Sequence, residues 1–396
     1  MDEIDALKAL TAEPSPESAA AGRALLLAEA RGAAPVSARR RFPIPKFALF
    51  TGAGLALAGA TAAVAVLVSS GTATPRAPGG PGGAPDGGGF MQVAAKADLL
   101  PSGRFWHTDE VSGTIYVQRP ASGASYTIFG AQTEAFHYTS AKPDGGEGFF
   151  SRELPARPAT PQDEAAWKRA GSPRSFRVWS NDHYFTYSAT RTTPWTDDSA
   201  GERGGAFPGP SGSGDPSGGR RPAMTAAQVA ALPTDPDALA KIFFVDDPKA
   251  RYAPGTGRLT PARKLSVAGR ALKNMPLPPK VRAGLMRALA KQSGIQTVKG
   301  VADPLGRKGV ALAAEPETIT RTAEYGAPAQ EQGTYTERRE LLFNPDTGEL
   351  LATLTVLVRP GGPYAALKPG AVIDYFSVRS SGWTQAKPKP PAGLPF

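Results

Sequence analysis

Histidine is the side chain best suited to acid–base chemistry near neutral pH, and the chain has three, His107, His137 and His183. No two of them lie close together in sequence, and no HExxH, GxSxG, P-loop or GxGxxG motif is present. A triad of His107 with a serine and an aspartate stays open, because triads form in space. The aromatic strand patterns around the histidines favour ordinary sheet positions. We therefore predict no catalytic, metal or cofactor site and no enzyme activity.

Paired carboxylates could act as acid and base, and the chain has two such pairs, Asp197-Asp198 and Asp246-Asp247. Both pairs lie in polar stretches that are typical of solvated turns. The chain has no cysteine, which excludes disulfides, thiolate metal sites and cysteine nucleophiles. A fold of this composition must be held together by packing alone.

Residues 90–198 contain five short runs rich in aromatic and β-branched side chains, and turn residues such as Ser112-Gly113 separate them. We interpret these runs as β-strands. Aromatic residues of these strands are candidates for the lining of an apolar ligand groove: Phe105, Trp106, Trp179 and Phe185. The alternative is that they fill an ordinary core, as large aromatic side chains most often do.

Helical periodicity replaces the strand pattern after residue 222. Pro236, Pro261 and Pro279 each precede apolar residues at helical spacing, which predicts three amphipathic helices. Strands return from Ile295, and residues 344–348 form the turn of a last hairpin. Strands followed by helices and then hairpins are typical of an α+β fold with an antiparallel sheet.

One stretch, Phe47 to Val68, has 22 consecutive uncharged residues, and as a helix it would be about 33 Å long. That length crosses a bilayer, so we predict one transmembrane helix. Four basic residues lie between positions 39 and 46, whereas only Arg76 follows closely. This asymmetry predicts a protein of the cell membrane with a cytoplasmic N-terminus and an extracytoplasmic C-terminal domain. A cleaved export signal is the alternative, because residues 39–42 are similar to a twin-arginine motif.

Composition divides the chain into segments around this span. A low-complexity insert at 199–222 interrupts the folded region. We predict that this region is one domain, because the strand-rich first half has few helices to cover its sheet and the second half supplies three. The predicted segments are a cytoplasmic helical segment at 1–46, the transmembrane helix at 47–68, a Pro/Gly-rich tether at 69–89, the extracytoplasmic domain at 90–386 and a Pro-rich tail at 387–396.

The cytoplasmic segment contains a small apolar stripe, Ile4, Leu7 and Leu10, on an acidic stretch. These residues are candidates for docking onto a cytoplasmic protein. Helices this short are marginal alone, so the alternative is a lead-in that is disordered or lies on the membrane.

The net charge of +10 has two interpretations. A basic outer domain would attract anionic envelope polymers or lipid headgroups, or the charge would serve solubility alone. The basic residues are scattered and the predicted location is extracytoplasmic, so nucleic acid is not an expected partner.

Three stretches, 232–239, 275–289 and 344–348, carry a resemblance to a known family. With the layout around the span, the chain resembles a family of actinobacterial single-pass membrane proteins that have an anti-sigma-factor-like arrangement. The outer domain is similar to the sensor domains of bacterial lipoprotein carriers and RseB-type proteins. This resemblance implies a curved antiparallel half-barrel wrapped on helices, a lipid or lipoprotein ligand, and a sigma factor as partner. Zinc-binding anti-sigma domains use His and Cys, and residues 1–46 contain neither.

Three functions compete on these patterns. We favour a membrane-tethered extracytoplasmic sensor or binding protein for an apolar or amphiphilic envelope ligand. The second is a transmembrane regulator that binds a sigma factor through residues 1–46. An envelope enzyme is the third and least favoured.

Overall fold

The aromatic and β-branched runs of the sequence form strands, which come before and after a central group of helices along the chain. The computed structural model describes residues 87–121, 123–142, 145–180, 182–199, 206–207, 224–245 and 259–396. The strands in these residues are β1 Phe105–Gln118, β2 Tyr126–Ser140, β3 Glu147–Glu153, β4 Arg157–Pro158, β5 Ser175–Ser180, β6 His183–Ser188, β7 Thr196–Asp197, β8 Ala206–Phe207, β9 Met224–Thr225, β10 Ile295–Ala302, β11 Lys308–Ala314, β12 Glu317–Arg321, β13 Gly333–Phe343, β14 Leu350–Arg359 and β15 Val372–Thr384.

Eleven of these strands form one antiparallel sheet in the order β10-β11-β13-β14-β15-β1-β2-β3-β7, with β12 beside β13 and β4 beside β2. The first and last long strands of the domain, β1 and β15, are direct neighbours, with Phe105 opposite Thr384. Strands from both halves of the chain therefore share this sheet. β5 and β6 form a separate hairpin, and β8 pairs with β9.

Three of the described helices begin where the sequence places proline after a capping residue. The helices of the described residues are α1 Gly87–Ala97, α2 Pro161–Arg169, α3 Ala226–Ala230, α4 Pro236–Phe243, α5 Pro261–Asn274 and α6 Pro279–Ala290. Thr160, Asp235 and Thr260 cap α2, α4 and α5, each accepting a bond from a backbone N–H of the first turn. Three short 3-10 segments follow at Glu324–Gly326, Ala329–Glu331 and Gly362–Tyr364.

One face of the sheet packs against α5, which contacts β13, β11, β14, β1 and β2. α6 lies beside α5 and also contacts α1 and α4. The buried core between helices and sheet includes Leu265, Leu272, Leu285, Leu341 and Phe343. A second apolar cluster on the strands includes Val111, Leu342, Leu354, Ile373 and Tyr375.

The predicted fold class needs a correction, because it included a transmembrane helix. None of the helices within the described residues combines the length and the apolar character that a bilayer crossing requires. The longest, α5, has 14 residues and spans about 21 Å, well short of a hydrocarbon core. The large antiparallel sheet and the helices packed on it are present. Residues 1–86, which contain the predicted span 47–68 and the docking candidates Ile4, Leu7 and Leu10, lie outside the described residues.

Ser112-Gly113 was expected to be a turn between two short strands, but both residues lie inside the long strand β1. A Cβ atom on Gly113 would lie 2.8 Å from Cε1 of Tyr375, which faces it from β15. The glycine is therefore needed for a close approach of the Tyr375 ring and not for a reversal of the chain.

The Pro-rich residues 387–396 pack against side chains of the domain. The indole Nε1 of Trp195 donates to the carbonyl of Pro391 at 2.9 Å, and Arg152 bonds to the carbonyls of Ala392 and Gly393. The guanidinium of Arg157 lies 4.3 Å from the centre of the Phe396 ring. Proline-rich segments have few hydrogen bonds of their own, so these donors supply the contacts that hold this one in place.

Replacing Gly113 with alanine is expected to lower the free energy of unfolding by about 1–3 kcal/mol, because the added methyl overpacks the buried Tyr375 ring. Gly382→Ala on the neighbouring strand is the matched control, since its Cβ would meet only His107 Cε1 at 3.7 Å. Urea unfolding of both variants measures the difference. Equal stability of the two variants would contradict this account of Gly113.

Candidate functional site

Two of the four predicted groove residues lie in packed surroundings. Trp106 is buried, its Nε1 donates to the carbonyl of Lys273 at 2.6 Å, and Arg282 lies 4.0 Å from its ring centre. Phe105 is buried in an edge-to-face contact with Tyr138, with ring centres 6.1 Å apart. The structure therefore places both side chains in the core, and neither lines the two cavities described below.

The other two predicted residues, Trp179 and Phe185, lie on the hairpin of β5 and β6. Trp179 lines two neighbouring cavities. Phe185 is 45% exposed and packs on Tyr187, whose ring centre is 4.8 Å away. Because Tyr187 lines the larger cavity, the hairpin brings Trp179 and Phe185 to one region of the molecule.

The larger cavity, about 480 Å³, lies over the end of β1. Strand residues alternate between faces, so Thr114 and Tyr116 share the face on which Trp106 and Thr108 meet α5. Asp374 of β15 is opposite Thr114 and accepts a bond of 2.7 Å from its hydroxyl. The cavity therefore occupies the part of this sheet face that lies beyond α5.

The hairpin forms one wall of this cavity. Tyr187 packs against Tyr116 with ring centres 5.7 Å apart, and the Tyr116 hydroxyl lies 3.4 Å from Ser180 Oγ. This approach depends on Gly130, because a Cβ there would lie 2.8 Å from Tyr187 and 3.0 Å from Tyr116. Glycine at this position lets the hairpin pack closely against the sheet.

The opposite wall consists of Arg321 at the end of β12, together with the 3-10 segments that contain Glu331 and Tyr364. Arg321 Nη2 donates to the Tyr364 hydroxyl at 3.4 Å, and its guanidinium lies 5.6 Å from the Tyr364 ring centre and 5.9 Å from that of Tyr335. Among the described residues, no carboxylate lies within ion-pair distance of Arg321. Glu331 instead pairs with Arg119 at 3.3 Å.

A second cavity of about 320 Å³ shares Trp179, Arg321 and Glu331 with the first. Thr320, Thr322, Glu324 and Tyr325 complete its lining. The guanidinium of Arg321 therefore belongs to the lining of both cavities.

Burial controls the protonation of the cavity side chains. Burial raises the pKa of Asp374 and of Glu331, although nearby groups, the Thr114 hydroxyl for Asp374 and Arg119 for Glu331, act in the opposite direction. Burial also raises the pKa of Tyr364 and Tyr187, so their hydroxyls stay protonated and can donate hydrogen bonds. The lining thus combines tyrosine donors, a guanidinium and carboxyls in a partly apolar space.

The three histidines lie in separate places. His107 stacks on Phe136, and His137 bonds Thr139 Oγ1 at 3.0 Å. His183 lies at the exposed tip of the β5–β6 hairpin beside Asp182. In the part of the chain that the structure describes, no group of three or more His, Asp or Glu side chains is arranged to hold a metal ion.

Arg321, Tyr116, Tyr187 and Tyr364 were not among the sequence candidates. Their strands and segments are far apart in sequence, and each residue alone fits an ordinary sheet or loop position. The sequence signal for such residues is a change from apolar to polar side chains at every second position of a strand, that is, along one of its faces.

A second group of buried carboxyls, Asp109 and Glu134, lies on the other face of the sheet. Burial, and next the charge of Glu134, raise the pKa of Asp109 to about 7. Glu134 forms an ion pair with Arg152 at 2.5 Å, and Arg379 contacts both Glu134 and Asp109. Because Arg152 also binds residues 392 and 393, we assign this network to holding that segment and not to chemistry.

A scan against models of known protein families returned no match to the chain, and a search of curated proteins returned none either. The function must therefore be argued from the site.

Asp109 is expected to make the protein less stable as the pH rises from about 4 to 7. In the folded chain its pKa is about 7, whereas an unfolded aspartate ionises near pH 4. Between these pH values the folded state binds one more proton than the unfolded state, so its stability falls as the pH rises. Asp109→Asn should remove this part of the pH dependence. Urea unfolding at pH 5 and pH 8 measures it.

The control for this prediction is Asp346→Asn, which removes an exposed carboxylate from a turn. It should leave the difference between pH 5 and pH 8 as in the wild type. An unchanged difference in Asp109→Asn as well would show that Asp109 does not hold the proton.

Proposed function

We propose that this domain is a binding protein, or the sensing part of a receptor, for an amphiphilic envelope ligand with an anionic group. The observation that carries the proposal is the environment of Arg321. Its positive charge lies in the lining of two cavities that contain aromatic residues, and within the described residues its guanidinium contacts tyrosines.

The walls fit the apolar part of such a ligand. Tyr116, Tyr187 and Trp179 are aromatic residues of the lining. A cavity of about 480 Å³ is within the usual range of volumes for small-molecule sites, and its exposed lining is more polar than apolar, which suits an amphiphilic ligand rather than a purely apolar one. The ligand body would lie against these rings.

Arg321 fits the anionic group. A guanidinium presents several donors in one plane and binds carboxylate or phosphate oxygens in pairs. The other charges of the larger cavity already have partners: Glu331 pairs with Arg119, and Asp374 accepts from Thr114. Arg321 is therefore the group left to select the charge of the ligand.

This proposal agrees with the lipid or lipoprotein ligand that the family resemblance implies. The extracytoplasmic location and a sigma factor partner stay predictions from the sequence, because residues 1–46 lie outside the described residues.

We expect a dansyl-labelled fatty acid to bind the purified chain more tightly than its methyl ester, because only the acid carries a charge for Arg321. Arg321→Gln should weaken binding of the acid by about 10-fold or more and leave the ester unchanged, since a hydrogen bond to a charged group contributes about 1.5–3 kcal/mol. Trp179→Ala should weaken both probes. Dansyl fluorescence titrations measure all three effects.

Phe149→Ala is the matched control, because Phe149 is 42% exposed on the same sheet and lines neither cavity. It should bind both probes as the wild type does. Equal affinity of the wild type for acid and ester, or binding that neither Arg321→Gln nor Trp179→Ala alters, would refute the proposed site.

A further inference from the structure

Three arginines lie together where α5 meets β13, outside the cavity lining. Arg263 and Arg270 are seven residues apart on α5, which places them on one side of the helix. Arg339 of β13 reaches the same place, because its Nη1 donates to Ser266 Oγ of α5 at 2.9 Å. Arg339 is exposed, so this group is open to solvent.

The positive charges of this group face one another. Burial lowers the pKa of Arg270, and the charge of Arg339 lowers it further. Burial likewise lowers the pKa of Arg263, followed by the charges of Arg270 and Arg339. Like charges held this close are unfavourable unless an anion lies between or beside them.

Arg270 gives the clearest sign of a missing partner. Its Nε and Nη2 atoms are buried and have no hydrogen-bond acceptor among the described residues. A buried donor without an acceptor loses its hydrogen bonds to water and gains none in return, so native structures seldom keep one without a reason. An anion with several oxygens would satisfy these donors.

Neighbouring carboxyls do not fill this role. Glu337 and Asp374 face Arg339 from the same side of the sheet, and its charge lowers the pKa of both against the larger effect of burial. Within the described residues, neither carboxyl is within ion-pair distance of Arg270 or Arg339. Asp374 instead accepts the bond from Thr114.

We propose that Arg270 and Arg339 form a binding site for a phosphate group, beside Ser266, whose oxygen accepts from Arg339 and whose hydroxyl donates to the carbonyl of Ala262 at 3.1 Å. A phosphate carries more negative charge than a carboxylate and holds its oxygens in a tetrahedron, so it can present different oxygens to two guanidinium groups that approach from different elements. Arg263 adds positive charge on the same side of α5. The site does not depend on the cavity at Arg321.

The phosphate could be a free ion or part of a lipid, and two probes separate these sources. Isothermal titration of the full chain with inorganic pyrophosphate tests the free ion, and titration with dihexanoyl phosphatidic acid tests the lipid. We expect binding of at least one probe. Absence of binding for both would overturn the proposal.

Arg270→Gln and Arg339→Gln should each weaken binding of the probe by about 10-fold or more. Arg270→Lys keeps the charge but loses the planar donors, so it should also bind more weakly than the wild type. Arg359→Gln removes an exposed arginine from the same sheet and should bind as the wild type does. Equal weakening in Arg359→Gln would show general charge attraction and overturn the site.

The dansyl fatty acid separates this proposal from the cavity and also reports folding. Arg270→Gln should bind that probe as the wild type does, and Trp179→Ala should still bind the phosphate probe. Phosphate binding in a wild type that does not bind the fatty acid would refute the cavity alone. If Arg270→Gln binds neither probe, the variant has lost its fold, and Arg339→Gln on the exposed side becomes the test. Loss of phosphate binding alone in Arg339→Gln supports the site. Unchanged phosphate binding in Arg339→Gln overturns it.

Discussion

The carbonyl oxygen of Lys273, at the end of α5, fixes how the helices lie on the sheet. It accepts bonds from Trp106 Nε1 at 2.6 Å and from Thr108 Oγ1 at 2.7 Å, donors that precede it by more than 160 residues. The last carbonyls of a helix have no hydrogen-bond partner inside the helix, and here side chains of β1 supply the donors for one of them. The side chain of Lys273 adds an ion pair with Glu110 of the same strand. With α5 held at these positions, the residues further along β1 stay uncovered and become the floor of the cavity.

A buried guanidinium strengthens this junction. Arg282 of α6 donates to the carbonyl of Leu272 at 2.7 Å and stacks on Trp106, and burial lowers its pKa to about 9. A buried charge is costly unless hydrogen bonds and favourable contacts offset the loss of water. Trp106 is thus bonded through its nitrogen and covered on its ring face. That double contact explains why this tryptophan, a sensible groove candidate from the sequence, belongs to the core.

The sequence predicted the features that depend on neighbouring residues, and it missed those that depend on residues far away in the chain. Helix starts at Pro236, Pro261 and Pro279 depend on neighbouring residues, and the structure has all three. The sequence predicted a turn at Gly113 because the reason for this glycine is Tyr375, far along the chain. It predicted the Pro-rich tail but not the packing of this tail on the domain, because Trp195 and Arg152, which bind it, are also distant in sequence. Of the residues that line the candidate site, the sequence candidates included Trp179 but not Arg321, and the candidate Phe185 lies beside Tyr187 without lining either cavity. The partners of Arg321 come together only when β12 and the 3-10 segments meet.

Strand β13 shows in one element why charged and apolar residues share a face of the sheet. On the side that faces α5 it carries, in order, Tyr335, Glu337, Arg339, Leu341 and Phe343. Leu341 and Phe343 are fully buried under the helices, whereas Glu337 is half-buried and Arg339 is exposed. The change from charged to apolar side chains therefore marks the edge of the helical cover. Charges on the open part of a sheet face cost little while water reaches them, and they are available to bind a ligand that replaces that water. The same residue pattern that ends the core thus begins the binding surface.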